Sequence, residues 1–287
     1  MPTAKIGVIG GTGLYDIEGM VDIQEVNIET PFGKPSDAIT IGKLEGVGIA
    51  FLPRHGKGHR IMPSELPSRA NIYALKSLGV EHIIAINSAG SFKKTIKPGD
   101  LLIPDQLIDR TKGRISSFFG EGIVAHISFA DPVCPVLCKV LYESAKEAGA
   151  TVHPKGTFVV MEGPAFSTRA ESKLHRSWGA DLIGMTALPE AKLAREAEIC
   201  YAIIGCATDY DSWWEEREAV TVDMIIATLR KNVDTAKKII KLAVKRIPGK
   251  RECECATALK TAIVTAPEAI PPEQKKKLNL LIGKYIK

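Results

Sequence analysis

The chain has 287 residues, of which 45% are hydrophobic, 25% charged and 6% aromatic, a balance that is typical of globular proteins and excludes the disordered, collagen-like and fibrous classes. It carries 38 basic and 33 acidic residues, so the net charge is only +5 and no dense basic stripe indicates a nucleic-acid partner. The two basic runs that stand out, Lys237–Lys238 and Lys275–Lys277, are more simply explained as solvated faces.

Short apolar runs bounded by Gly, Pro or Asp predict strands, and apolar residues at helical spacing between them predict helices. Because strands alternate with helices, the sequence predicts one α/β domain with a central mixed, largely parallel sheet flanked by helices. In chain order, the predicted elements are strands at Lys5–Gly10 and Val47–Leu52, a helix around Ala70–Leu78, strands at His82–Asn87, Asp100–Ile103, Thr157–Met161 and Asp181–Gly184, a helix at Glu190–Ala197 opened by Pro189, a strand at Ile199–Ala207 and a helix at about Val222–Lys245.

Beyond Pro248–Lys250 lies a tail, at about residues 250–287, which is predicted to form a helix or two on the same body. No stretch of 18 apolar residues is present, which argues against a membrane-spanning helix. The opening residues lack the apolar segment and cleavage site of a secretory signal, so we expect a cytoplasmic protein.

The amide and cysteine residues bear on heat adaptation, metal binding and disulfide bonds. Only five Asn and three Gln occur, and hyperthermophile chains are poor in these heat-labile residues. The cysteines form no CxxC pair and no Cys/His cluster with zinc spacing, so no metal site is predicted. Free thiols are expected in a mesophile, and disulfides are a real alternative in a hyperthermophile. The six cysteines are Cys134, Cys138, Cys200, Cys206, Cys253 and Cys255.

The loop Gly10–Gly13 directly follows the first predicted strand and contains three glycines and Thr12. It is not a dinucleotide loop, because Asp16 stands where that motif needs glycine, and it lacks the Lys of a Walker loop. Two interpretations stay open for this loop. It is either a phosphate cradle of another kind, built from backbone N–H groups, or a tight turn.

Other predicted strands also end in polar or small residues. Arg54 and His55 follow the second strand, Asn87–Ser91 the third, and Gly184–Thr186 a later one. Ligands in open α/β sheets bind at the carboxyl ends of strands, and an arginine fork matches phosphate oxygens. Each loop alone has an ordinary explanation as a surface turn, but together they predict one site for a small anion such as phosphate.

Two further segments carry chemistry. Asp209 and Asp211 follow the strand at Ile199–Ala207 and would both address one polar group if the backbone there is extended; the alternative is a turn or a helix N-cap. Phe166, in the segment Met161–Ser167, would stack on a planar ring or lie in the core.

Six motifs, in order over about residues 5 to 245, resemble the purine nucleoside phosphorylase superfamily, and most closely its 5′-methylthioadenosine phosphorylase branch. The resemblance implies that phosphate attacks C1′ of a ribose and that a purine leaves. The motifs are Gly10–Gly13, Thr30–Ser36, Arg54–Gly56, Met62–Pro63, Glu162–Glu171 and Ala207–Asp211.

The same resemblance assigns roles by position. Asp209 would protonate the leaving purine at N7, and Asp211 would accept from its 6-amino group. Met185 would lie under the ribose, and no cofactor is implied, since inorganic phosphate is a co-substrate. Phosphate would be held by Thr12, Arg54, His55, Ser88, Ala89 and Thr186, while Phe166 would contact the base and His126, Val222 and Ile225 the 5′-methylthio group.

Substrate choice follows from Ser167 and Asp209, which stand where branches that prefer 6-oxopurines carry Glu and Asn. A carboxylate accepts from an amino group and repels a carbonyl oxygen, so adenine is favoured. One alternative is a purine nucleoside phosphorylase of broad specificity that uses inosine, guanosine or adenosine. Another is a non-catalytic nucleotide sensor on the same fold.

The resemblance also bears on assembly and on the cysteines. Family members are trimers or hexamers, so a homo-trimer or homo-hexamer is implied, in which neighbouring subunits complete the site. Cys253-Glu254-Cys255 resembles the CxC of hyperthermophilic archaeal members, where it is associated with disulfides. Two alternatives stay open: disulfides among the other four cysteines, or six reduced thiols.

Overall fold

The computed structural model describes residues 3–11, 14, 17–215 and 222–286, and among residues 222–230 it describes the backbone and the side chain of Thr228 alone. The strands are β1 (Ile6–Gly10), β2 (Met20–Val26), β3 (Ile39–Leu44), β4 (Val47–Pro53), β5 (His82–Ser91), β6 (Leu101–Leu102), β7 (Gln106–Arg110), β8 (Val152–His153), β9 (Thr157–Met161), β10 (Leu182–Gly184) and β11 (Cys200–Tyr210). The α-helices are α1 (Ser68–Ser77), α2 (Pro135–Glu147), α3 (Arg169–Ser177), α4 (Ala187–Glu196), α5 (Val222–Arg246), α6 (Pro272–Lys277) and α7 (Asn279–Ile282).

The strands form one mixed sheet with β5 at its centre. β5 pairs in parallel with β1 and β11 and antiparallel with β10, while β2, β3 and β4 form an antiparallel meander on the other side of β1. Helices pack on this sheet, and two large apolar clusters contain alternate residues of the same strand: Ile83 of β5 belongs to one and Ile84 to the other. The predicted fold class, a mixed and largely parallel sheet flanked by helices, is confirmed.

All seven predicted strands are present, with moved ends. β5 continues to Ser91 and β11 to Tyr210, because both stay paired to each other beyond their apolar runs. Leu188 has extended backbone angles, so the regular part of α4 begins at Pro189, as predicted. Asp211 follows the end of β11 and caps no helix. The sequence patterns did not predict the strands β2, β3, β7 and β8 or the helices α2 and α3. The side chains of β2 are mostly exposed and therefore leave no apolar run.

The tail packs on the same body. It contains a 3₁₀ turn at Glu254–Thr257 and the helices α6 and α7, and Leu259, Leu278 and Ile282 are buried in the cluster that also holds α1 and α4. Glu198, only 2% exposed, ties it down: its carboxylate accepts from the Leu259 amide (3.1 Å), from the Tyr285 hydroxyl (2.5 Å) and from the Lys284 ammonium (2.5 Å).

Of the two alternatives for the cysteines, disulfides are not confirmed. No two of the six sulfurs are bonded, and the Sγ atoms of Cys200 and Cys253 lie 3.3 Å apart, whereas a disulfide needs about 2.05 Å. The physical reason is that four sulfurs converge on one point instead of pairing. The other two, Cys138 and Cys206, lie outside that group. Within the described part of the chain, no helix is both long enough and apolar enough to cross a membrane.

We expect Glu198→Ala to lower the free energy of unfolding by about 2–3 kcal/mol, since it leaves the buried Leu259 amide and the Tyr285 hydroxyl without their acceptor. Urea denaturation measures the change. The exposed tail residue Glu268 provides the control: Glu268→Ala should change stability by less than about 0.5 kcal/mol. Equal losses for the two variants would contradict the role of Glu198.

Candidate active site

The carboxyl ends of four parallel strands meet at one edge of the sheet. β4, β1, β5 and β11 run side by side in parallel. β10 enters from the opposite direction, and its last residue, Gly184, reaches β5: a Cβ on Gly184 would lie 3.3 Å from the carbonyl oxygen of Ser88. The segments that the sequence analysis singled out at Arg54, Ser88, Thr186 and Asp209 therefore lie at the same edge.

A buried ion pair organises one side of this edge. Arg54 Nε donates to Glu190 Oε1 at 2.6 Å and Arg54 Nη2 to Glu190 Oε2 at 3.1 Å, with the two side chains 3% and 1% exposed. Tyr201 also donates to Glu190 Oε2, at 2.9 Å. Burial alone would lower the pKa of Arg54, but Glu190 raises it, so the guanidinium stays charged. The arginine fork is thus turned toward a carboxylate of the protein.

The remaining donors of Arg54 are mostly used as well. Nη1 donates to the Ile86 carbonyl at 2.7 Å, and Nη2 lies 3.4 Å from both the Ile9 carbonyl and Asn87 Oδ1. Among the described residues, this leaves at most one of its five N–H groups for a ligand. The positive charge at the strand edge is therefore rigidly placed, and direct phosphate contact by Arg54 stays a prediction.

Asn87 connects the Arg54–Glu190 ion pair to Thr186. Its Nδ2 donates to Thr186 Oγ1 at 2.8 Å, and its Oδ1 faces the guanidinium. Because the lone pair of Oγ1 accepts from Asn87, the hydroxyl hydrogen of Thr186 is left to point elsewhere. Thr186 is buried at the start of α4, so the arrangement presents an oriented O–H donor at the strand edge.

His55 is a neutral ring with a defined tautomer. Its Nδ1 lies 2.8 Å from the Ile61 carbonyl, which only accepts, so Nδ1 carries the hydrogen. Burial, with smaller contributions from the charges of Arg54 and His59, lowers the pKa of His55 to about 4 against that hydrogen bond. At neutral pH the other nitrogen, Nε2, is therefore an acceptor.

A β-bulge places Asp209. Ala207 pairs with Ala89 and Asp209 with Gly90, so Thr208 is the extra residue and Asp209 takes the register position that Thr208 would otherwise hold. Glycine at 90 leaves room for both carboxylates, since a Cβ there would lie a tight 3.2 Å from Asp209 Oδ1 and 3.1 Å from Asp211 Cβ. Burial raises the pKa of Asp209 to about 6, opposed by the hydrogen bond from Thr208 (2.7 Å) and assisted by the charge of Asp211.

Asp211 is buried beside it. Its amide donates to the Ser91 carbonyl at 3.1 Å, which continues the pairing of β11 past the end of the strand. Burial raises the pKa of Asp211. By strict hydrogen-bond geometry its Oδ2 is buried without a partner among the described residues, but the Ser172 and Ser167 hydroxyls and the Ser212 amide lie close enough to lower the pKa of this carboxyl against burial. An acceptor with such incomplete pairing fits a donor that a ligand would bring.

A second buried arginine shapes the loop after β9. Arg114, whose side chain is 5% exposed, binds the Glu162 carboxylate (3.1 Å), the Glu162 carbonyl (2.6 Å) and the Met185 carbonyl (2.6 Å). It joins the loop to the end of β10, where a Cβ on Gly163 would lie 2.5 Å from Met185 Sδ. The Ser212 hydroxyl donates to the Ser167 carbonyl at 2.8 Å, which connects this loop to the Asp211 segment.

The structure thus brings most of the predicted residues into one region, with exceptions. Phe166 is 69% exposed, so it is not a core residue. His126 lies on a segment whose backbone pairs with the tail, its amide donating to the Ala262 carbonyl at 2.8 Å. No hydrogen bond or ion pair between described residues joins it to Asp209. Thr12 and the side chains of Val222 and Ile225 lie outside the described residues.

Two residues that hold the site together, Glu190 and Arg114, were not predicted, and Glu162 was predicted only as part of a motif, without this role. Glu190 had a detectable signal, because it is a carboxylate in an otherwise apolar stretch six residues after the predicted strand end at Gly184. Arg114 had none, since the mostly polar residues around it do not indicate burial.

Comparison with known proteins gives the same picture. The family model described as the phosphorylase superfamily matches residues 5–245. A relative from Geobacter sulfurreducens named S-methyl-5′-thioadenosine phosphorylase is 58% identical over 98% of this chain and 99% of its own length. The crystal structure of a methylthioadenosine phosphorylase sourced from an antarctic soil metagenomic library is 49% identical over 98% of this chain and 99% of that chain, with a TM-score of 0.94.

A further solved structure, with lower sequence identity, is the methylthioadenosine phosphorylase from Schistosoma mansoni in complex with adenine. It is 38% identical, covers 90% of this chain and 96% of that chain, and has a TM-score of 0.82.

We expect Asp209 to titrate with a midpoint near pH 6 in carboxyl ¹³C NMR, and Thr208→Val to move that midpoint upward because the hydroxyl stabilises the charged form. Thr208→Ser, which keeps the hydroxyl, is the control. Since the folded pKa exceeds the ordinary value of 3.8, the contribution of Asp209 to stability is present below about pH 4 and is lost as pH rises through about 6. A midpoint near 4 would contradict the burial argument.

Proposed function

The chain belongs to the phosphorylase superfamily, and from this membership we propose that it cleaves 5′-methylthioadenosine with inorganic phosphate to give adenine and 5-methylthioribose 1-phosphate. The observation that carries the proposal is Asp209, a carboxyl group with its pKa raised to about 6, positioned beside an anion-binding strand edge. The chain is an enzyme that acts on small molecules. The cytoplasmic location and the heat adaptation suggested by the composition stay predictions.

In the proposed reaction an oxygen of phosphate forms a bond to C1′ as the C1′–N9 bond breaks. The bonding electrons leave with the purine, and a proton at N7 neutralises it. The transition state has oxocarbenium character, so the phosphate anion both attacks and stabilises it. The protein then contributes by positioning the reactants and by donating a proton. A rigid site does both well, because its groups need no rearrangement during the reaction.

On the phosphate side, the oriented hydroxyl of Thr186 donates to a phosphate oxygen. His55 Nε2 accepts from the P–OH group of monohydrogen phosphate, since its tautomer leaves it no proton to give. Arg54 supplies a fixed positive charge, and Ser88, which is exposed at the edge, adds a hydroxyl. Ala89 and Thr12 complete the set by resemblance to the family. No cofactor takes part, because phosphate is itself a substrate.

On the base side, Asp209 in its protonated form gives its proton to N7. Asp211 accepts from the 6-amino group of adenine through Oδ2, which makes no hydrogen bond of standard geometry to the described residues. A 6-oxo group would instead place a carbonyl oxygen against these carboxylates, so adenine is favoured over hypoxanthine. Ser167 adds no competing carboxylate to the pocket.

Met185 is proposed to lie under the ribose and Phe166 against the base. The apolar surface of Phe166 and of Ile115, 69% and 61% exposed, is area that a neighbouring subunit would cover. We therefore propose a homo-trimer or homo-hexamer in which the partner helps to close the site. His126, Val222 and Ile225 are proposed to surround the 5′-methylthio group within that assembly.

The second candidate is a purine nucleoside phosphorylase of broad specificity. We expect kcat/KM for methylthioadenosine to exceed that for inosine on the order of 100-fold, because inosine leaves the acceptor of Asp211 unpaired. Phosphate-dependent release of the base from methylthioadenosine, adenosine and inosine, followed by chromatography, measures the ratio. A preference for inosine would reject the adenine assignment, and no turnover of any nucleoside would favour a non-catalytic sensor.

Asp209→Asn removes the transferable proton but keeps the size of the side chain. We expect kcat to fall about 100-fold or more, while the Kd for phosphate from calorimetry changes less than about threefold. The exposed Asp131 is the matched control, and Asp131→Asn should leave both values unchanged. Unchanged turnover in Asp209→Asn would remove Asp209 as the acid.

A further inference from the structure

Four cysteine sulfurs from distant parts of the chain converge on one point. Cys134 is the N-cap residue of α2, Cys200 is the first residue of β11, and Cys253 and Cys255 lie at the start of the 3₁₀ turn Glu254–Thr257. Their Sγ atoms all lie within 4.8 Å of one another. Cys134, Cys200 and Cys255 are buried and Cys253 is half-buried. The group is referred to below as the four-cysteine cluster.

The spacing of this cluster matches a tetrahedral metal site. Zinc–sulfur bonds of about 2.3 Å in a tetrahedron place the four sulfurs about 3.8 Å from one another, which lies within the observed limit. The sulfurs are too far apart for disulfides, with even Cys200 and Cys253 at 3.3 Å. We propose that Cys134, Cys200, Cys253 and Cys255 bind one zinc ion as a Cys₄ site.

The ligand set points to a structural ion. Four thiolates are soft ligands that select zinc over magnesium or calcium, and a complete set of four leaves no open position for water or substrate. The location agrees. Cys200 pairs with His82, the first residue of β5, so the cluster lies at the amino ends of the parallel strands. Asp209 is nine residues further along β11, about 30 Å away at the rise of an extended strand.

The surroundings suit the charge and the entry of the ion. Cys134, Cys200 and Cys253 line a cavity of about 280 Å³ together with Lys250, Arg251 and Glu252, so that one net positive charge of the lining opposes part of the double negative charge of a zinc tetrathiolate. His82 lines the same cavity, and its Nδ1 is buried without a hydrogen-bond partner among the described residues. An N–H···S bond from this ring to a zinc-bound sulfur would satisfy that atom, as outer-shell groups of metal sites commonly do.

The ion would fasten the tail to the body. Its ligands join the start of α2, the start of β11 and the segment that follows α5. Without the ion, Cys253 and Cys255 connect to the body only through ordinary packing and hydrogen bonds. Zinc should therefore raise the thermal stability of the chain without changing turnover at moderate temperature, because the catalytic edge is at the other end of the strands.

The first test is metal content and geometry in the full chain, purified under reductant. We expect one zinc per chain by inductively coupled plasma mass spectrometry. After exchange with Co²⁺, we expect the visible d–d bands and the near-ultraviolet charge-transfer band of tetrahedral thiolate coordination. Less than about 0.1 zinc per chain after incubation with Zn²⁺ and reductant would overturn the proposal, as would preferential binding of iron from an equimolar mixture.

The second test uses matched variants. Cys255→Ser should lose the zinc and lower the melting temperature by about 10 °C, while phosphorolysis at moderate temperature is kept within about twofold. Cys138→Ser and Cys206→Ser, which change the other two cysteines, should retain one zinc per chain and the cobalt spectrum. Retention of the metal by Cys255→Ser and Cys200→Ser alike would overturn the assignment of the ligands.

If the variants do not fold, titration of the wild-type chain still tests whether the cysteines bind zinc. Titration with an organomercurial in the presence of a zinc-sensitive dye should release one zinc as the four thiols react. The cysteines form disulfides in place of the zinc site if they resist alkylation until reductant is added and if each pair lowers the mass by two hydrogens. That result would overturn the proposal.

Discussion

The buried ion pair between Arg54 and Glu190 is the interaction on which the anion side of the site depends. Bringing both charges out of water is costly, and only close geometry with further hydrogen bonds offsets it. Here both carboxylate oxygens and nearly all guanidinium donors have partners, drawn from β1, β5, α4 and β11. Asn87 contacts this pair and donates to Thr186, so a buried interaction constrains the direction of the Thr186 hydroxyl.

Burial also sets the protonation states on which the proposed chemistry depends. It lowers the pKa of His55 to about 4, which makes the ring an acceptor, and raises that of Asp209 to about 6, which makes the carboxyl a proton donor. The shifts run in opposite directions because desolvation penalises the charged form of each group. The bulge at Thr208 and the missing side chain of Gly90 admit Asp209 to this environment.

The two ends of the parallel strands hold different sets of residues. The carboxyl ends of β4, β5 and β11 hold the groups that we propose act on phosphate and purine. The amino ends of β5 and β11 hold the four-cysteine cluster, through which we infer that a metal ion fastens the tail. Because the two ends are separated along β11, we expect substitutions at the cysteine end to change stability more than chemistry.

Local patterns in the sequence determined seven of the eleven described strands, the helices α1, α4 and α5, and the places where functional loops leave the sheet, because apolar periodicity and strand-ending residues are local properties. They also sufficed to identify the family motifs, including those with Arg54 and Asp209. Only the tertiary structure decided that Arg54 binds Glu190, that Arg114 holds the loop after β9, and that four cysteines converge instead of pairing. These contacts join residues far apart in the chain, and no local spacing encodes them. Burial, which sets the pKa of His55 and Asp209, is likewise a property of the packed whole.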